Sequence, residues 1–332
     1  MRNKILVMTT ACVGAICLTA AQCESAESNG RSGAKGIGRK TLTVGFSQIG
    51  AESGWRTAET QSVRSEAARR GINLKFSDAQ QRQENQIKAL GAFIAQRVDA
   101  ILLAPVVEAG WEPILKQARA AKIPVILVDR GVSVSDDSLY TTLIASDFVA
   151  EGRMAGEWLA KRLDGKGNVV ELQGTPGAAP AIDRKKGFAE ALKNQPNIRI
   201  VKSQTGEFTR AKGKEVMEAF LKAAQGSGTK IDAIYAHNDD MALGAIQAVE
   251  EAGLKPGADI VVVSVDGIKP AFEAMIAGKL NCTVECNPLL GPAAFDAVEA
   301  AVTGKPLPKK TVVQDRIFDQ SVAKDVIGSR QY

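Results

Sequence analysis

The chain has 332 residues, 45% hydrophobic, 24% charged and 5% aromatic, with 31 glycines. These are ordinary globular proportions, and the length permits two domains. The net charge of +5 includes Arg2 and Lys4 in a segment that reads as removable, leaving about +3, too small and too dispersed for a nucleic-acid partner.

Residues 1–21 join a basic start (Arg2, Lys4) to an apolar centre from Ile5 to Leu18 and the small residues Thr19, Ala20 and Ala21. This reads as a secretory signal peptide, too short and wrongly flanked for a membrane span, and it predicts a periplasmic protein. Cys23 opens a lipoprotein alternative, but Gln22 stands where that signal wants Gly or Ala. Residues 22–40, rich in Ser, Gly and charge, are expected to be a disordered lead-in.

From Thr41 the pattern alternates. Residues 42–47 read as a strand, followed by the polar loop Gly50-Ala51-Glu52-Ser53-Gly54-Trp55-Arg56 and a helix over 57–70 that Gly71 is placed to end. Further strands are expected at 72–77, 99–104, 124–128, 140–145, 168–172, 198–202, 231–236, 260–265 and 281–286. Helices are expected at 82–97, 110–121, 147–163, 181–194, 209–224, 238–252, 269–277 and 289–303. Such alternation implies parallel sheets with right-handed crossovers.

A weak internal repeat overlies this order. Val98-Asp99-Ala100-Ile101-Leu102-Leu103-Ala104 is echoed by Ile231-Asp232-Ala233-Ile234-Tyr235-Ala236. One helix later, each is followed by an apolar strand ending in Asp, at Asp129-Arg130-Gly131 and at Asp266-Gly267. The paired order predicts two similar domains facing each other across a cleft.

Ligands of open α/β sheets bind beyond the carboxyl ends of the strands. Those ends here carry Trp55-Arg56, Ala104-Pro105, Asp129-Arg130, Asp147, Gln173-Gly174 with Arg184 beyond, Phe208, His237-Asn238-Asp239 and Asp266. Carboxylates accept, guanidinium groups donate through a planar fork, Asn does both, and Trp and Phe offer flat apolar faces. Together they suit a monosaccharide, polyhydroxylated at its edge and C–H-rich on its faces. Each residue also has a plainer reading: Trp55 at an interface beside a solvated Arg56, Asp129 and Asp266 as turn residues, Arg184 on the surface, and Asn238 as a helix N-cap.

Signals for an enzyme are poor. His237 is the single histidine, and no Gly-x-Ser-x-Gly elbow, P-loop, dinucleotide fingerprint or metal-ligand spacing occurs. No catalytic residue, metal or cofactor is expected. Asp129 and Asp266 could imitate a glycosidase pair, but the neighbouring arginines favour permanently ionised acceptors. Cys282 and Cys286, four apart in a strand, would lie about 13 Å from one another. A disulfide needs Cα atoms within about 7 Å, so two buried free thiols are expected.

The segments Val44-Gly45-Phe46-Ser47-Gln48, Glu52-Ser53-Gly54-Trp55-Arg56, Glu84-Asn85-Gln86-Ile87-Lys88-Ala89, Gly110-Trp111-Glu112-Pro113, Val169-Val170-Glu171-Leu172-Gln173-Gly174, Ala181-Ile182-Asp183-Arg184-Lys185-Lys186-Gly187-Phe188 and Tyr235-Ala236-His237-Asn238-Asp239-Asp240-Met241 carry a family resemblance. Residues 41–308 resemble the periplasmic sugar-binding proteins of bacterial ABC transporters, in the ribose/galactose-binding class, and within it the galactofuranose-binding group. The resemblance implies the type I periplasmic-binding-protein fold, an α/β build of two Rossmann-like domains joined by a three-segment hinge. Its crossings would fall near Ile144–Ser146, Glu285–Asn287 and Val312–Arg316. One sugar-binding lobe would comprise 41–145 plus 287–312 and the other 146–286 plus 313–332.

Sugar contacts of the family map onto Trp55, Arg56, Asp129, Arg130, Arg184, Asn238 and Asp266, and Phe208 matches a stacking position. Phe148 departs from an Asn beside the Asp and is expected to redirect one hydroxyl contact. The implied protein is a monomer that captures galactofuranose or a related aldose for an ABC importer, its partners being the monosaccharide and the transporter permease. A binding component that reports to a membrane receptor is the alternative. A sugar-responsive repressor would need an N-terminal DNA-binding segment where the leader stands.

Overall fold

The computed structural model describes residues 41–332, and the leader, the lead-in and Cys23 lie outside the described residues. In chain order the elements are β1 (Thr43–Gln48), α1 (Gly54–Arg69), β2 (Asn73–Asp78), α2 (Gln83–Ala95), β3 (Ala100–Leu103), α3 (Glu112–Ala120), β4 (Val125–Val128) and β5 (Thr142–Ser146). Then come α4 (Phe148–Arg162), β6 (Gly167–Gln173), α5 (Ala179–Leu192), β7 (Ile198–Thr205), α6 (Arg210–Ser227), β8 (Ala233–Ala236), α7 (Asp239–Glu251), β9 (Val261–Asp266), α8 (Lys269–Ile276) and β10 (Cys282–Glu285). The chain ends with α9 (Gly291–Val302), β11 (Lys310–Val313), β12 (Ile317–Asp319) and α10 (Ala323–Val326).

The strands form two six-stranded sheets, ordered β11-β5-β4-β3-β1-β2 and β12-β10-β9-β8-β6-β7. The orders correspond position by position, so the sequence repeat at β3–β4 and β8–β9 is a repeat of place within the sheet. The chain leaves the first sheet between Ser146 and Phe148, returns between Glu285 and Gly291, and leaves again between Val313 and Ile317.

Alternation of side chains explains why the strands read as unbroken apolar runs. In the first sheet Val44, Phe46, Leu102, Ile126 and Val128 join Val63 of α1 and Phe295 of α9 on one face. Ile101, Leu103, Val125 and Leu127 join Leu90, Phe93 and Leu115 of α2 and α3 on the other. A parallel sheet covered by helices on both faces reads as nearly continuous apolar runs. The second sheet has the same construction, with Val170, Ile234, Val262 and Val284 in its core. Helix α1 ends as its sequence signals: Gly71 lies at φ +66° after the cap residue Arg70.

The structure departs from the sequence reading at α1, which begins at Gly54 and so takes in Trp55 and Arg56, expected in a loop, and in the segment after α9. Strands β11 and β12 were not foreseen, since each is short and flanked by charge, and only Phe318 among their residues is buried. And β12 runs antiparallel to β10, the one antiparallel pairing among the described strands. An edge strand reached directly from a crossing, with no helix between, has no crossover to force it parallel.

Candidate ligand-binding cleft

Carboxyl ends of both sheets face one small shared cavity. All eight residues singled out from the sequence line it: Trp55, Arg56, Asp129 and Arg130 from elements of the first sheet, and Arg184, Phe208, Asn238 and Asp266 from those of the second. Glu52, Ser53, Pro180 and Cys286 complete the wall.

On the first side Arg56 is the centre. Its Nε donates to Glu52 Oε1 at 3.1 Å, its Nη2 to Asp129 Oδ2 at 2.7 Å, and its Nη1 to Glu59. Ser53 caps α1 by accepting from the Arg56 amide, which fixes the turn that aims the guanidinium inward. Burial works against the charge of Arg56, but Glu59, Asp129 and Glu52 outweigh it and hold the group firmly protonated. Burial pushes Glu59 up, against the pull of Arg56. Arg130 has fewer partners: Nη1 reaches the Val106 carbonyl at 3.2 Å, and Nε, buried, lies 3.5 Å from Asp129 Oδ2 and makes no hydrogen bond among the described residues. Burial and the nearby Arg56 bring it down to about 10.

On the second side Arg184 donates through Nε to Glu151 at 2.6 Å and through Nη1 to the His237 carbonyl at 2.6 Å. Close approach of α4 and α5 puts it there, since a Cβ on Gly152 would lie 2.1 Å from the Arg184 carbonyl oxygen. Asp266 lies 3.7 Å from Arg184 Nη2, too far for a hydrogen bond, and its carboxylate accepts none among the described residues. Burial pushes that carboxyl well above the usual range, and Arg184 only partly opposes it. The expectation that both strand-end carboxylates are held ionised by arginine is therefore corrected for Asp266. Phe208 rests against Gly174, where a Cβ would fall 1.9 Å from its ring.

Each cavity arginine lies over an aromatic ring: Arg56 over Trp55 at 4.7 Å, Arg130 over Phe208 at 5.2 Å, and Arg184 over Phe148 at 5.3 Å. Phe148 is buried outside the cavity wall, so its place in this structure is as a platform for Arg184. Asp129, Phe208 and Asp266 have φ of +65°, +62° and +127°, and strained backbone of this kind gathers at ligand sites.

Several plainer readings are decided. Trp55 is an interface residue, packed in the apolar cluster of the second lobe with Nε1 donating to the Cys286 carbonyl at 2.6 Å. Arg56 is 2% exposed and so not solvated. Asn238 does cap α7: Oδ1 accepts from the Met241 amide and Nδ2 donates to the Phe208 carbonyl at 3.1 Å. His237 turns away from the cavity toward Glu171 at 3.2 Å, and burial lowers its pKa. Asp239 is a structural acceptor for Ser264, Thr283 and the Ile268 amide. Asp147 caps α4. Cys282 and Cys286 are free, buried thiols.

Sequence reasoning did not assign Glu52, Glu59, Glu151 or Asp240. Glu52 and Glu59 flank Arg56 at helical spacings of four and three, a signal that was available. Asp240 accepts from the Gly54 amide at 2.8 Å across the cleft, and the Glu108 amide donates to the Gly177 carbonyl at 2.9 Å on another pair of loops. These contacts close the lobes over the cavity. Around it the crossings meet in a polar cluster, where Asp315 accepts from the Asn287 amide at 3.2 Å and bonds Ser146. Burial, with Glu151 nearby, pushes Asp315 up to about 7.

Matched α/β lobes, joined by three crossings and closed over a polar cavity, are the build of a bilobal ligand-binding protein. Residues 44–306 match the family described as periplasmic binding protein domain, and the chain belongs to that family. It is a binding protein and not an enzyme. It is 55% identical over 292 residues to the galactofuranose-binding protein YtfQ of Escherichia coli (strain K12), covering 87% of this chain and 92% of that protein. A solved structure of the periplasmic component of the arabinose ABC transporter from Shewanella sp. ANA-3, bound to α- and β-L-arabinofuranose, is 57% identical with a TM-score of 0.85, covering 87% of this chain and 96% of that one. A Mycobacterium smegmatis structure in complex with β-D-fucofuranose is 51% identical at the same TM-score, over 88% and 96%. Among the described residues no helix is long and apolar enough to cross a membrane, and no cluster could hold a metal ion.

Proposed function

We propose that this protein captures one aldose in its furanose form between its lobes and presents it, as a monomer, to the permease of an ABC importer. The observation that carries this reading is how charge is paired around the cavity. Arg56 is matched by Glu52, Glu59 and Asp129, and Arg184 by Glu151, so the wall's charges are largely spent on one another and do not call for an ionic ligand. Open valences remain at Arg130 Nε and on Asp266, where sugar hydroxyls can donate and accept. Trp55 and Phe208 supply the apolar faces. The similar proteins named with galactofuranose, L-arabinofuranose and β-D-fucofuranose support the ring form.

Binding energy becomes available only when both halves meet the ligand, which favours the closed arrangement by its differential affinity. A transporter can read that closure from the outer faces of the lobes. Calorimetry with L-arabinose, methyl α-L-arabinofuranoside and the corresponding pyranoside tests the proposal. Binding of arabinose and the furanoside but not the pyranoside supports it, and equal binding of both glycosides overturns the ring-form assignment. Small-angle scattering should show a smaller radius of gyration with saturating sugar. An unchanged curve with tight binding would rule out cleft closure.

A further inference from the structure

The carboxylate of Asp266 takes no hydrogen bond among the described residues, so its direction is set by the backbone that carries it. That backbone is strained at Asp266, which lies at φ +127°, and it turns on through Gly267 at φ +73°. For a residue with a Cβ this persists only where the surroundings over-determine it. Three ties come from within the lobe. The Cys286 amide donates to the Asp266 carbonyl at 3.1 Å, the Gly267 amide donates to Thr283 Oγ1 at 3.2 Å, and the Ile268 amide donates to Asp239 at 2.8 Å.

A fourth tie comes from the end of the chain. Arg330 is 5% exposed at its side chain, and its Nε and Nη2 both donate to the Gly267 carbonyl, at 3.1 and 2.8 Å. Its Nη1 donates to Glu285 Oε1 at 2.6 Å, in the strand paired with Asp266. The guanidinium is held in place by the rings of Tyr332, Phe272 and Phe318, at 4.4, 5.2 and 5.5 Å. The Lys269 amide donates to the Tyr332 carbonyl at 2.6 Å, so the tail is anchored on both sides of the corner. Planar, multiply bonded guanidinium contacts fix geometry in a way a single ammonium cannot.

We propose that Arg330 is a positioning residue for ligand recognition: it clamps the Asp266–Gly267 corner so that the Asp266 carboxylate points into the cavity. The inference rests on the reading of the cavity as a sugar site and extends that site to a residue outside its wall.

The test is a double-mutant cycle read by calorimetry with L-arabinose or D-galactose, whichever the wild type binds more tightly. Arg330→Ala should weaken binding at least tenfold, and Arg330→Lys by less. In an Asp266→Asn background, Arg330→Ala should cost less than a further twofold, because the group it positions is already gone. Equal losses in both backgrounds, or no loss in the wild-type background, would overturn the proposal. Removing Arg330 takes from buried Glu285 the nearer of its two guanidinium partners, Arg316 remaining at 3.3 Å. A Glu285→Gln/Arg330→Gln double variant restores charge balance without the fork, and it should still lose tenfold. Hydrogen exchange separates this proposal from the sugar reading. If the wild type binds neither aldose, that reading fails, and the clamp is judged by the Gly267 and Cys286 amides. Faster exchange in Arg330→Ala supports the clamp, and unchanged exchange overturns it.

Discussion

Asp129 and Asp266 end corresponding strands of the two sheets, yet the protein uses them differently. Asp129 gives Oδ2 to Arg56 at 2.7 Å and belongs to a buried cluster in which one guanidinium serves three carboxylates. Asp266 stands 3.7 Å from its arginine and keeps its oxygens open. The first lobe thus pairs its strand-end carboxylate beforehand, and the second carries one that awaits a partner. Equivalent places in a repeat need not carry equivalent chemistry, and what distinguishes them is which cation lies within hydrogen-bond reach.

The largest effect should come from breaking the committed side. Arg56→Ala leaves Glu52, Glu59 and Asp129 buried without their shared cation, and breaking such a pair costs about 3–5 kcal/mol. Urea denaturation should show that loss, and an unchanged midpoint would mean the cluster is not an ionic one.

Next is the paired comparison. Asp129→Asn should destabilise by about 1–3 kcal/mol, because Arg56 loses a charge-assisted bond. Asp266→Asn should do the reverse. A carboxyl whose pKa is raised on folding costs nothing below its unfolded value of about 4, and it costs progressively more as pH rises above that. The neutral amide removes the penalty, so Asp266→Asn should melt higher than wild type at pH 8 and equally at pH 4. Its sugar affinity should still fall by about 2–5 kcal/mol, the cost of truncating one partner of a buried charged contact. Destabilisation by both variants would erase the contrast drawn between the lobes.

A smaller effect belongs to the crossings. Asp315, pushed up to about 7, should make wild-type stability fall between about pH 4 and pH 7 relative to Asp315→Asn. Partial exposure limits the difference to on the order of 1–2 kcal/mol. Thermal melts across that window would show parallel curves if the group does not titrate there. The smallest effect concerns the thiols. Cys282 and Cys286 should both label on denaturation without prior reduction, and saturating sugar should slow native labelling of Cys286, which lines the cavity, more than that of Cys282. Equal protection would place the sugar away from Cys286.

Much of this was legible in the sequence, for a physical reason. Parallel strands covered on both faces read as nearly continuous apolar runs, so Ala100–Leu103 and Val261–Val265 announce themselves, and polar residues at their carboxyl ends stand out. That is why Trp55, Arg130, Arg184 and Phe208 could be picked before their proximity was known. What stayed hidden depends on separations between residues distant in the chain. Nothing local says that Asp129 meets Arg56 while Asp266 stands clear of Arg184, or that Asp240 reaches across to Gly54. Strands β11 and β12 were missed because four and three residues, with Phe318 alone among them buried, carry too little pattern.

Those two strands also set the order in which the protein can be completed. Strand β11 pairs with β5, and β12 with β10, so each sheet takes its last edge from the closing stretch of the chain. Synthesis from the amino terminus therefore completes the two halves nearly together. Both sheets keep a bare edge until residues 310–319 have been made, and contacts between such distant segments form slowly. Loss of residues 310–319 would strip an edge strand from both sheets together.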